Sequence, residues 1–536
     1  MDNKLKVGLA ICMGFAGNSQ LGAQSRPNII VIMADDMGFS DIGCFGSEIP
    51  TPNLDKLAKN GIRFSQFYNT ARCCPTRASL LTGLYQHQTG IGMMAEDPAT
   101  QPDQRDKNDL GVPGYRGFLN HNCMTIAEVL KLAGYHTYMT GKWHVGMHGE
   151  EKWPLQRGFE RYYGILAGAS SYLKPEGGRG LTLDNTKLHA PEGEYYTTDA
   201  FTDYAIRFIK EQKDEKPFFL YMAYNAPHWP LQAKKSDYEK FVGKYMKGWD
   251  VLRNERYQRQ KTMNLFDRDI PLSPRDSRVR PWNEVDEAQK KESDFRMAVY
   301  AAQVNCIDQN VGKLVDLLSE LRKLDNTLII FLSDNGGCAE PYKEFGGGNF
   351  SDINNPAISG SVSYGIGWAN LSNTPFYEYK VKSYEGGISA PFIAHWPDKI
   401  IKTAGKVFHT PAGLVDIMPT IIDAADARYP ETHTDGTQLF PLEGFSLIPA
   451  FVNGKGKEHP YMFWEHSGYS AIRKGDWKAY KMVADSIWEL YDLSTDRDEQ
   501  LNVADKHQVL VRELNDKWYE WAYSHQVLPK KKLKQQ

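Results

Sequence analysis

Four apolar segments of the chain are each followed at once by polar or charged residues that could bind an ion or move a proton. The segments cover 28–34, 135–139, 218–224 and 327–333, and the residues after them read DDMG, TGKWH, NAPH and DNGG. Runs of this length and composition predict buried strands. Ligands of parallel α/β sheets bind beyond the carboxyl ends of the strands. The sequence therefore predicts one site that contains Asp35, Asp36, Lys142, His144, His228, Asp334 and Asn335.

Oxygen ligands dominate one part of this set. Asp35, Asp36, Asp334 and Asn335 suit calcium or magnesium and are poor ligands for zinc. Taken alone, the paired aspartates also fit a helix cap or a solvated loop, and SDNGG at 333–337 also fits a simple turn. Because both follow long apolar runs, their combination favours a metal site.

The remaining residues of the set could hold an anion and transfer a proton. Lys142 and His144 lie two apart, so on an extended segment their side chains point the same way. A lysine and a histidine that face one cavity can bind an anion and move a proton. His228 follows a strand and could act as a general acid. A surface lysine and two packed structural histidines are the alternative interpretation.

Two adjacent cysteines, Cys73 and Cys74, lie at the start of a helix-like segment that ends at Gly83. If the segment is helical, Cys73 lies at its N-terminus, where the helix dipole and Arg77 favour an anion or an activated nucleophile. An inert buried cysteine is the alternative. The seven cysteines have irregular spacing that matches neither a disulfide framework nor a zinc site.

Helical patterns lie between the predicted strands. The segment 125–134 has a capping box and a glycine stop, and 197–212 and much of 292–323 show helical spacing. Strands that alternate with helices predict an α/β fold with a large, mostly parallel mixed sheet sandwiched by helices. Shorter strand-like runs at 461–466, 469–475, 477–483 and 488–493 predict a smaller C-terminal α+β subdomain.

The chain has 536 residues and ordinary globular composition, with 41% hydrophobic and 24% charged residues. Residues 1–23 have a basic start and a short apolar stretch that predict a secretory signal peptide. We expect a catalytic α/β domain over 26–455, the C-terminal subdomain over 456–525 and a basic tail over 526–536. A net charge of −3 argues against binding of nucleic acid. After signal removal, no segment is long and apolar enough to predict an integral membrane helix.

Residues 73–83, CCPTRASLLTG, contain a Cys-x-Pro-x-Arg signature with a Leu-Thr-Gly ending. With this signature the chain resembles the type I, formylglycine-dependent sulfatases, an arylsulfatase-like branch of the alkaline phosphatase superfamily. The segments 26–38, 141–146, 225–230, 333–337 and 380–387 are similar to the family's other active-site segments, in the same order. The segments 473–480 and 488–504 resemble its C-terminal subdomain.

The resemblance implies a role for each residue of the site. It implies that Cys73 is oxidised to formylglycine (3-oxoalanine), the nucleophile and a ligand of one calcium ion. The other calcium ligands would be Asp35, Asp36, Asp334 and Asn335. Arg77, Lys142 and Lys380 would offset negative charge, His144 would take a proton from the nucleophile, and His228 would protonate the leaving alcohol. Lys380 is chosen over Lys382 because the family lysine precedes the Glu of its EGG segment, here Glu385, by five residues.

The function implied is that of a secreted or periplasmic bacterial sulfatase, which a formylglycine-generating enzyme must mature. We expect it to be exo-acting on sulfated carbohydrate, such as a sulfated galactose or hexosamine of host or algal glycans, or on an aryl sulfate. Trp368, in the Gly/Asn/Ser-rich stretch 345–376, and His87 and His121 are candidate substrate contacts, with packed side chains as the alternative. The competing functions are a phosphatase or phosphonate monoester hydrolase of the same superfamily, or a non-catalytic glycan binder if Cys73 is unmodified.

Cys73 is predicted to carry the aldehyde and Cys74 to remain a thiol, because only Cys73 has Pro at +2 and Arg at +4. The measurement is mass spectrometry of the peptide that contains residues 73–77 after co-expression with a maturation enzyme. Fragment ions that place the aldehyde at position 74, with an intact thiol at position 73, would contradict the prediction.

Overall fold

The computed structural model describes residues 26–95, 109–482 and 487–528. The predicted signal peptide at 1–23 and the tail beyond 528 lie outside these ranges, and both stay predictions. Over the described ranges the strands are β1 Asn28–Asp35, β2 Ile62–Phe64, β3 Phe67–Tyr68, β4 His136–Lys142, β5 Arg161–Ile165, β6 Leu181–Leu183, β7 Thr186–Leu188, β8 Phe218–Pro227, β9 Thr327–Ser333, β10 Phe392–His395, β11 Val407–Phe408, β12 Ala412–Gly413, β13 Met462–His466, β14 Tyr469–Lys474, β15 Trp477–Lys481 and β16 Glu489–Asp492. The α-helices are α1 Pro52–Asn60, α2 Cys73–Thr82, α3 Ile126–Leu132, α4 Thr197–Glu211, α5 Lys235–Tyr238, α6 Trp249–Thr262, α7 Glu287–Glu320, α8 Ile366–Ser372, α9 Glu385–Ile388, α10 Ile417–Ala424, α11 Ile448–Asn453 and α12 Gln508–Ser524.

The large sheet has ten strands among the described residues, in the order β11-β2-β10-β9-β1-β8-β4-β5-β6-β7. Its central strands β9, β1, β8, β4 and β5 are parallel. At one side of the sheet, β10 pairs with both β9 and β2 in antiparallel orientation. At the other edge, β6 pairs antiparallel with β5, and β7 pairs antiparallel with β6. The predicted mixed and mostly parallel sheet is therefore confirmed.

Both faces of the sheet are covered, as the continuous apolar runs predict. In β1, Ile30 and Ile32 pack into one apolar cluster, which also contains residues of α4 and α7. Ile29, Val31 and Met33 pack into a second cluster, which contains residues of α2, α3 and α10. Alternate side chains of a strand point to opposite faces, so a strand buried on both sides reads as one unbroken hydrophobic run.

The helices that begin near the sheet edge follow their local sequence signals. Thr125 and Glu128 form both hydrogen bonds of the predicted capping box at the start of α3. The helix α2 begins at Cys73 and ends before Gly83, whose φ of 70° is a left-handed conformation that glycine adopts at little cost. Cys73 therefore lies in the first turn of α2, as predicted.

A separate antiparallel sheet of β13, β14, β15 and β16 forms the predicted small subdomain. The helix α12 packs on it through Trp518 and Trp521, in a cluster with Ile472 and Leu490. The boundary at 455/456 itself stays a prediction. Among the described residues, no helix is both long enough and apolar enough to cross a bilayer.

A buried ionic network joins the small sheet to the large one. The ammonium of Lys478 lies 3.2 Å from Glu385 and 2.8 Å from Glu499, and the side chains of all three are fully buried. Arg497 donates a hydrogen bond of 2.8 Å to Glu385. Burial raises the pKa of Glu385, but the charges of Lys478 and Arg497 outweigh it and lower that pKa to about 2.

Lys478→Met should lower the free energy of unfolding by about 3–5 kcal/mol, because it leaves two buried carboxylates without their shared cation. Lys474→Met is the matched control on the neighbouring strand, since Lys474 pairs with Glu513 at the surface. For Lys474→Met the decrease in the free energy of unfolding should stay below about 1 kcal/mol. Urea unfolding followed by circular dichroism measures both. Equal losses in the two variants would contradict the role given to the network.

Candidate active site

The carboxyl ends of the central parallel strands bring the predicted residues to one edge of the sheet. Register pairs Asp35 of β1 with Pro227 of β8, one residue before His228. Ala34 of β1 is paired with Ser333 of β9, one residue before Asp334. Gly141 of β4, one residue before Lys142, pairs with Ala223 of β8. The predicted convergence of these four chain segments is therefore what the structure shows.

One half of the site is organised around Asp35. Lys142 donates a hydrogen bond of 2.5 Å to its Oδ2 atom, and an Nη2 of Arg77 lies 3.3 Å from the same oxygen. The same Nη2 donates to Asp334 Oδ2 at 3.0 Å, and Nη1 donates to the carbonyl of Lys142. These four side chains are all fully buried, so each charge is balanced by its neighbours and not by water.

The other half of the site is organised around Asp36. Lys380 lies 2.7 Å from its Oδ1 atom and donates to Oδ2 at 2.9 Å. Asn335 Nδ2 donates to Oδ1 at 2.7 Å, and His228 Nε2 lies 3.5 Å from Oδ2. Burial raises the pKa of Asp36, but the charge of Lys380, then His228 and the hydrogen bond from Asn335, hold it well below the usual range.

Cys73 lies between these halves and next to His144. The thiol groups of Cys73 and Cys74 and a ring nitrogen of His144 lie within 4.8 Å of one another. A hydrogen bond from Cys74 lowers the pKa of Cys73 well below that of a free thiol, and Lys142 and His144 add to this against the effect of burial. Burial and Cys73 raise the pKa of Cys74. Of the two adjacent thiols, Cys73 is therefore the one whose surroundings favour the thiolate.

Several residues of the site have a strained backbone. Asp36 and His144 have φ values of 67° and 55°, in the left-handed region. Ala71 and Val381, next to the segments of Cys73 and Lys380, have φ values of 61° and 83°, and Val381 donates a backbone hydrogen bond to Ala71. Such conformations cost about 1–3 kcal/mol each and cluster at functional sites.

The oxygen atoms of the site fit a divalent cation. Asp35 Oδ1 and Asn335 Oδ1 are buried and accept no hydrogen bond. Ligand atoms of Asp35, Asp36 and His228 lie within 4.8 Å of one another. Burial and the charge of Asp334 raise the pKa of Asp35 to about 6, so added positive charge would favour its ionised form. Carboxylate and amide oxygens are ligands that calcium and magnesium take, so the prediction of a metal ion here stays a prediction.

Arg72 and Glu340 were missed by the sequence analysis. Arg72 Nη1 lies 2.7 Å from Glu340 Oε1, and the other carboxylate oxygen lies 3.9 Å from the ammonium of Lys380. Their side chains are 16% and 26% exposed, whereas those of Lys380 and Arg77 are buried. The signal was their position, since Arg72 directly precedes Cys73 and Glu340 lies in the loop after Asn335. They form the accessible rim of the site.

Two predicted substrate contacts are corrected by the structure. Trp368 belongs to α8 and is fully buried, with its indole N–H bonded to Ser293 and its ring packed against Trp249. His87 is also fully buried, and its Nε2 atom lies 2.8 Å from Glu465 Oε2. Neither ring presents a face to solvent, so the packed alternative is the right one for both.

His121 is exposed, but its contacts belong to a different group of residues. Its Nδ1 atom lies 2.5 Å from Asp435, and its ring centre lies 5.1 Å from that of His433. Its contact with substrate therefore stays a prediction.

Comparison with known proteins gives matches across nearly the whole chain. The profile of the family described as "Sulfatase" matches residues 27–427. An uncharacterized sulfatase of Schizosaccharomyces pombe is 35% identical over 92% of this chain and 93% of its own length. An arylsulfatase of Klebsiella aerogenes is 34% identical over 83% of this chain and 96% of its own length. The crystal structure of Ps i-CgsB in complex with k-i-k-neocarrahexaose is similar, with a TM-score of 0.67, 28% identity, and coverage of 94% of this chain and 95% of that one.

The geometry distinguishes Lys380 from Lys382. The ammonium of Lys380 contacts Asp36, whereas that of Lys382 turns away to Glu378 at 2.7 Å. Lys380→Ala should lower the turnover of an aryl sulfate at least about tenfold, which corresponds to about 1.4 kcal/mol of barrier. Lys382→Ala, the matched control, should stay near the wild-type turnover. The reverse order in steady-state kinetics would overturn the assignment.

Proposed function

Because this chain belongs to the sulfatase family, and is therefore a sulfuric ester hydrolase, we propose that it removes sulfate from sulfated carbohydrates with a formylglycine at position 73 and one calcium ion. The observation that carries the proposal is the arrangement around Cys73. Arg77, Lys142 and Lys380 are buried and interact electrostatically with Cys73. Each contacts a carboxylate that could instead bind calcium.

Charge balance explains how the site would select an anion. Three buried carboxylates, Asp35, Asp36 and Asp334, face three buried cations. A calcium ion held by these aspartates and by Asn335 would supply positive charge that stabilises a bound hydroxyl and a sulfate oxygen. Because calcium would neutralise the carboxylates, the positive charge of the three basic side chains would then be available to bind one compact anion. A site that gathers buried basic side chains in this way favours a sulfate ester over a neutral molecule.

The unmodified thiol of Cys73 stands in for the proposed formylglycine. When hydrated, this group supplies two hydroxyls on one carbon, one to attack sulfur and one whose loss of a proton frees the sulfate. His144 is the base for that second proton, because its ring lies against position 73 and its Nδ1 atom has no hydrogen-bond partner. Lys142 and Arg77 stabilise negative charge on the same side.

His228 serves the leaving group. Its Nδ1 atom lies 2.7 Å from the carbonyl oxygen of Trp229, which can only accept, so Nδ1 carries a proton. The Nε2 atom is therefore free to gain and give a proton on the side of Asp36. Burial lowers the pKa of His228 to about 4. A bound sulfate ester would raise this pKa and make His228 a general acid for the departing oxygen.

The rim of the site supports a carbohydrate as the leaving group. Arg72 and Glu340 are the partly exposed charged pair beside Lys380, and together they offer donors and acceptors to sugar hydroxyls. One structural relative at 28% identity is a complex with a neocarrahexaose. We propose an exo-acting enzyme for a sulfated galactose or hexosamine, because Arg77, Lys142 and Lys380 are gathered at one buried position, which suits a single terminal sulfate ester.

Maturation and location complete the proposal. The residues 73–77 supply the cysteine, proline and arginine that a formylglycine-generating enzyme reads in sulfatases that resemble this chain. The basic and apolar start of the sequence supports a signal peptide and thus a secreted or periplasmic enzyme.

The proposed function is tested by measuring free sulfate released from monosulfated sugars and from one aryl sulfate by the matured protein. Release should depend on calcium and fall on chelation. Glu340→Gln keeps the shape of the side chain but removes its charge. We expect it to lower kcat/KM for the preferred sugar at least about tenfold, with less than about threefold loss for the aryl sulfate, which has no sugar hydroxyl to bind.

Each other outcome has a definite meaning. Hydrolysis of phosphate or phosphonate esters in preference to sulfate esters would replace the proposed substrate class. If Glu340→Gln lowers kcat/KM equally for the sugar sulfate and the aryl sulfate, Glu340 acts by positioning Lys380 and not by binding the sugar. Binding of sulfated sugar without turnover, with the aldehyde present, would favour a glycan-binding protein.

A further inference from the structure

A second group of possible metal ligands lies at the surface and shares no residue with the active site. His121, His433 and Asp435 place their ligand atoms within 4.8 Å of one another. His121 lies in the loop before α3, and the other two lie in the chain between α10 and α11. The proposed hydrolysis uses none of the three.

The backbone that carries these side chains is held by its own hydrogen bonds. Thr432 and Gln438 form an isolated antiparallel bridge, and between them His433 donates a hydrogen bond of 2.8 Å to the carbonyl of Thr437. This hairpin is tied directly to the loop of His121, because Asn122 Nδ2 donates to the carbonyl of Gln438 at 3.0 Å. Asp435 also stabilises the hairpin, because its Oδ1 atom accepts a hydrogen bond of 2.9 Å from the backbone N–H of Thr437.

One pair of ligand atoms already has the spacing that suits a tetrahedral ion. Zinc binds nitrogen and carboxylate oxygen at about 2.0–2.2 Å, which places two tetrahedral ligands about 3.3–3.5 Å apart. His433 Nδ1 lies 3.4 Å from Asp435 Oδ1. His121 Nδ1 lies 2.5 Å from the other oxygen, so its side chain must move outward by about 1 Å to admit an ion. The side chain of His121 is 59% exposed and has room to do so.

A supporting carboxylate stands behind His433. The Nε2 atom of His433 lies 3.5 Å from Glu128 Oε1. Glu128 is held in place by Arg157, whose Nε donates a hydrogen bond of 3.2 Å to the same oxygen, and by the capping box of α3. A proton on Nε2 would face this carboxylate and leave the lone pair of Nδ1 for a metal. Metal-binding histidines usually have such a partner on the second ring nitrogen.

We propose that His121, His433 and Asp435 bind a zinc ion that joins the loop before α3 to the hairpin 432–438. Two imidazoles and one carboxylate suit zinc and not calcium, which takes oxygen ligands. The fourth position would be taken by water, because the site is open to solvent. The competing interpretation is a pair of histidines that only form ion pairs with Asp435 and Glu128 when they are protonated.

The test is a calorimetric titration of zinc into the matured protein, with calcium kept in the buffer. The wild-type chain should bind one zinc ion at this site with saturation. His121→Ala and His433→Ala should each weaken binding at least about tenfold. His189→Ala removes an exposed histidine elsewhere and is the matched control, which should change nothing. Cobalt gives a second measurement, because a tetrahedral cobalt site absorbs visible light.

The outcomes separate this site from the active site. Zinc held by Cys73, Cys74 and His144 of unmatured chains would survive both substitutions, so binding that neither variant weakens would overturn the proposal. Absence of saturable binding in the wild-type chain would do the same. Circular dichroism shows whether the variants fold. The titration does not require turnover, so it remains valid if the proposed hydrolysis is wrong.

Discussion

Three buried carboxylates and three buried basic side chains face one another at the carboxyl edge of the sheet, and neither set could be buried alone. Removal of one partner from such a group leaves an uncompensated charge in a medium of low polarity, which costs several kcal/mol. Arg77 is central, because one guanidinium contacts Asp35, Asp334 and the carbonyl of Lys142. The balance of charge in the site is thus a condition for folding as well as for the binding of an anion.

The sheet makes this arrangement possible. Four parallel strands end at the same level, so residues from distant parts of the chain meet without long connections inside the core. The rigid scaffold also holds Asp36 and His144 in left-handed conformations that they would not adopt in a free loop. Strain at these positions directs both side chains into the site, and the packed strands and helices around them compensate for its cost.

The small antiparallel sheet stabilises the site from a second side. Glu385 begins α9, five residues after Lys380, and it is held by Lys478 of the small sheet and by Arg497. The position of Lys380 therefore depends on packing between the two sheets. This dependence gives a physical reason for the C-terminal subdomain to accompany the catalytic sheet, although it supplies none of the proposed catalytic side chains.

The sequence by itself determined the four strands that carry the site, the strands of the small sheet, the helix at Cys73 and the edge of the sheet where the polar residues meet. These features depend on unbroken apolar runs, a capping box and a glycine stop, which act over a few residues. Tertiary structure alone decided which partner each side chain meets. Arg72 and Glu340 are 268 residues apart in the chain, and Trp368 is buried by α6 and α7, so no local pattern could reveal the rim pair or exclude the tryptophan. The same limit applies to His121 and His433, whose proximity depends on two loops that only the folded chain brings together.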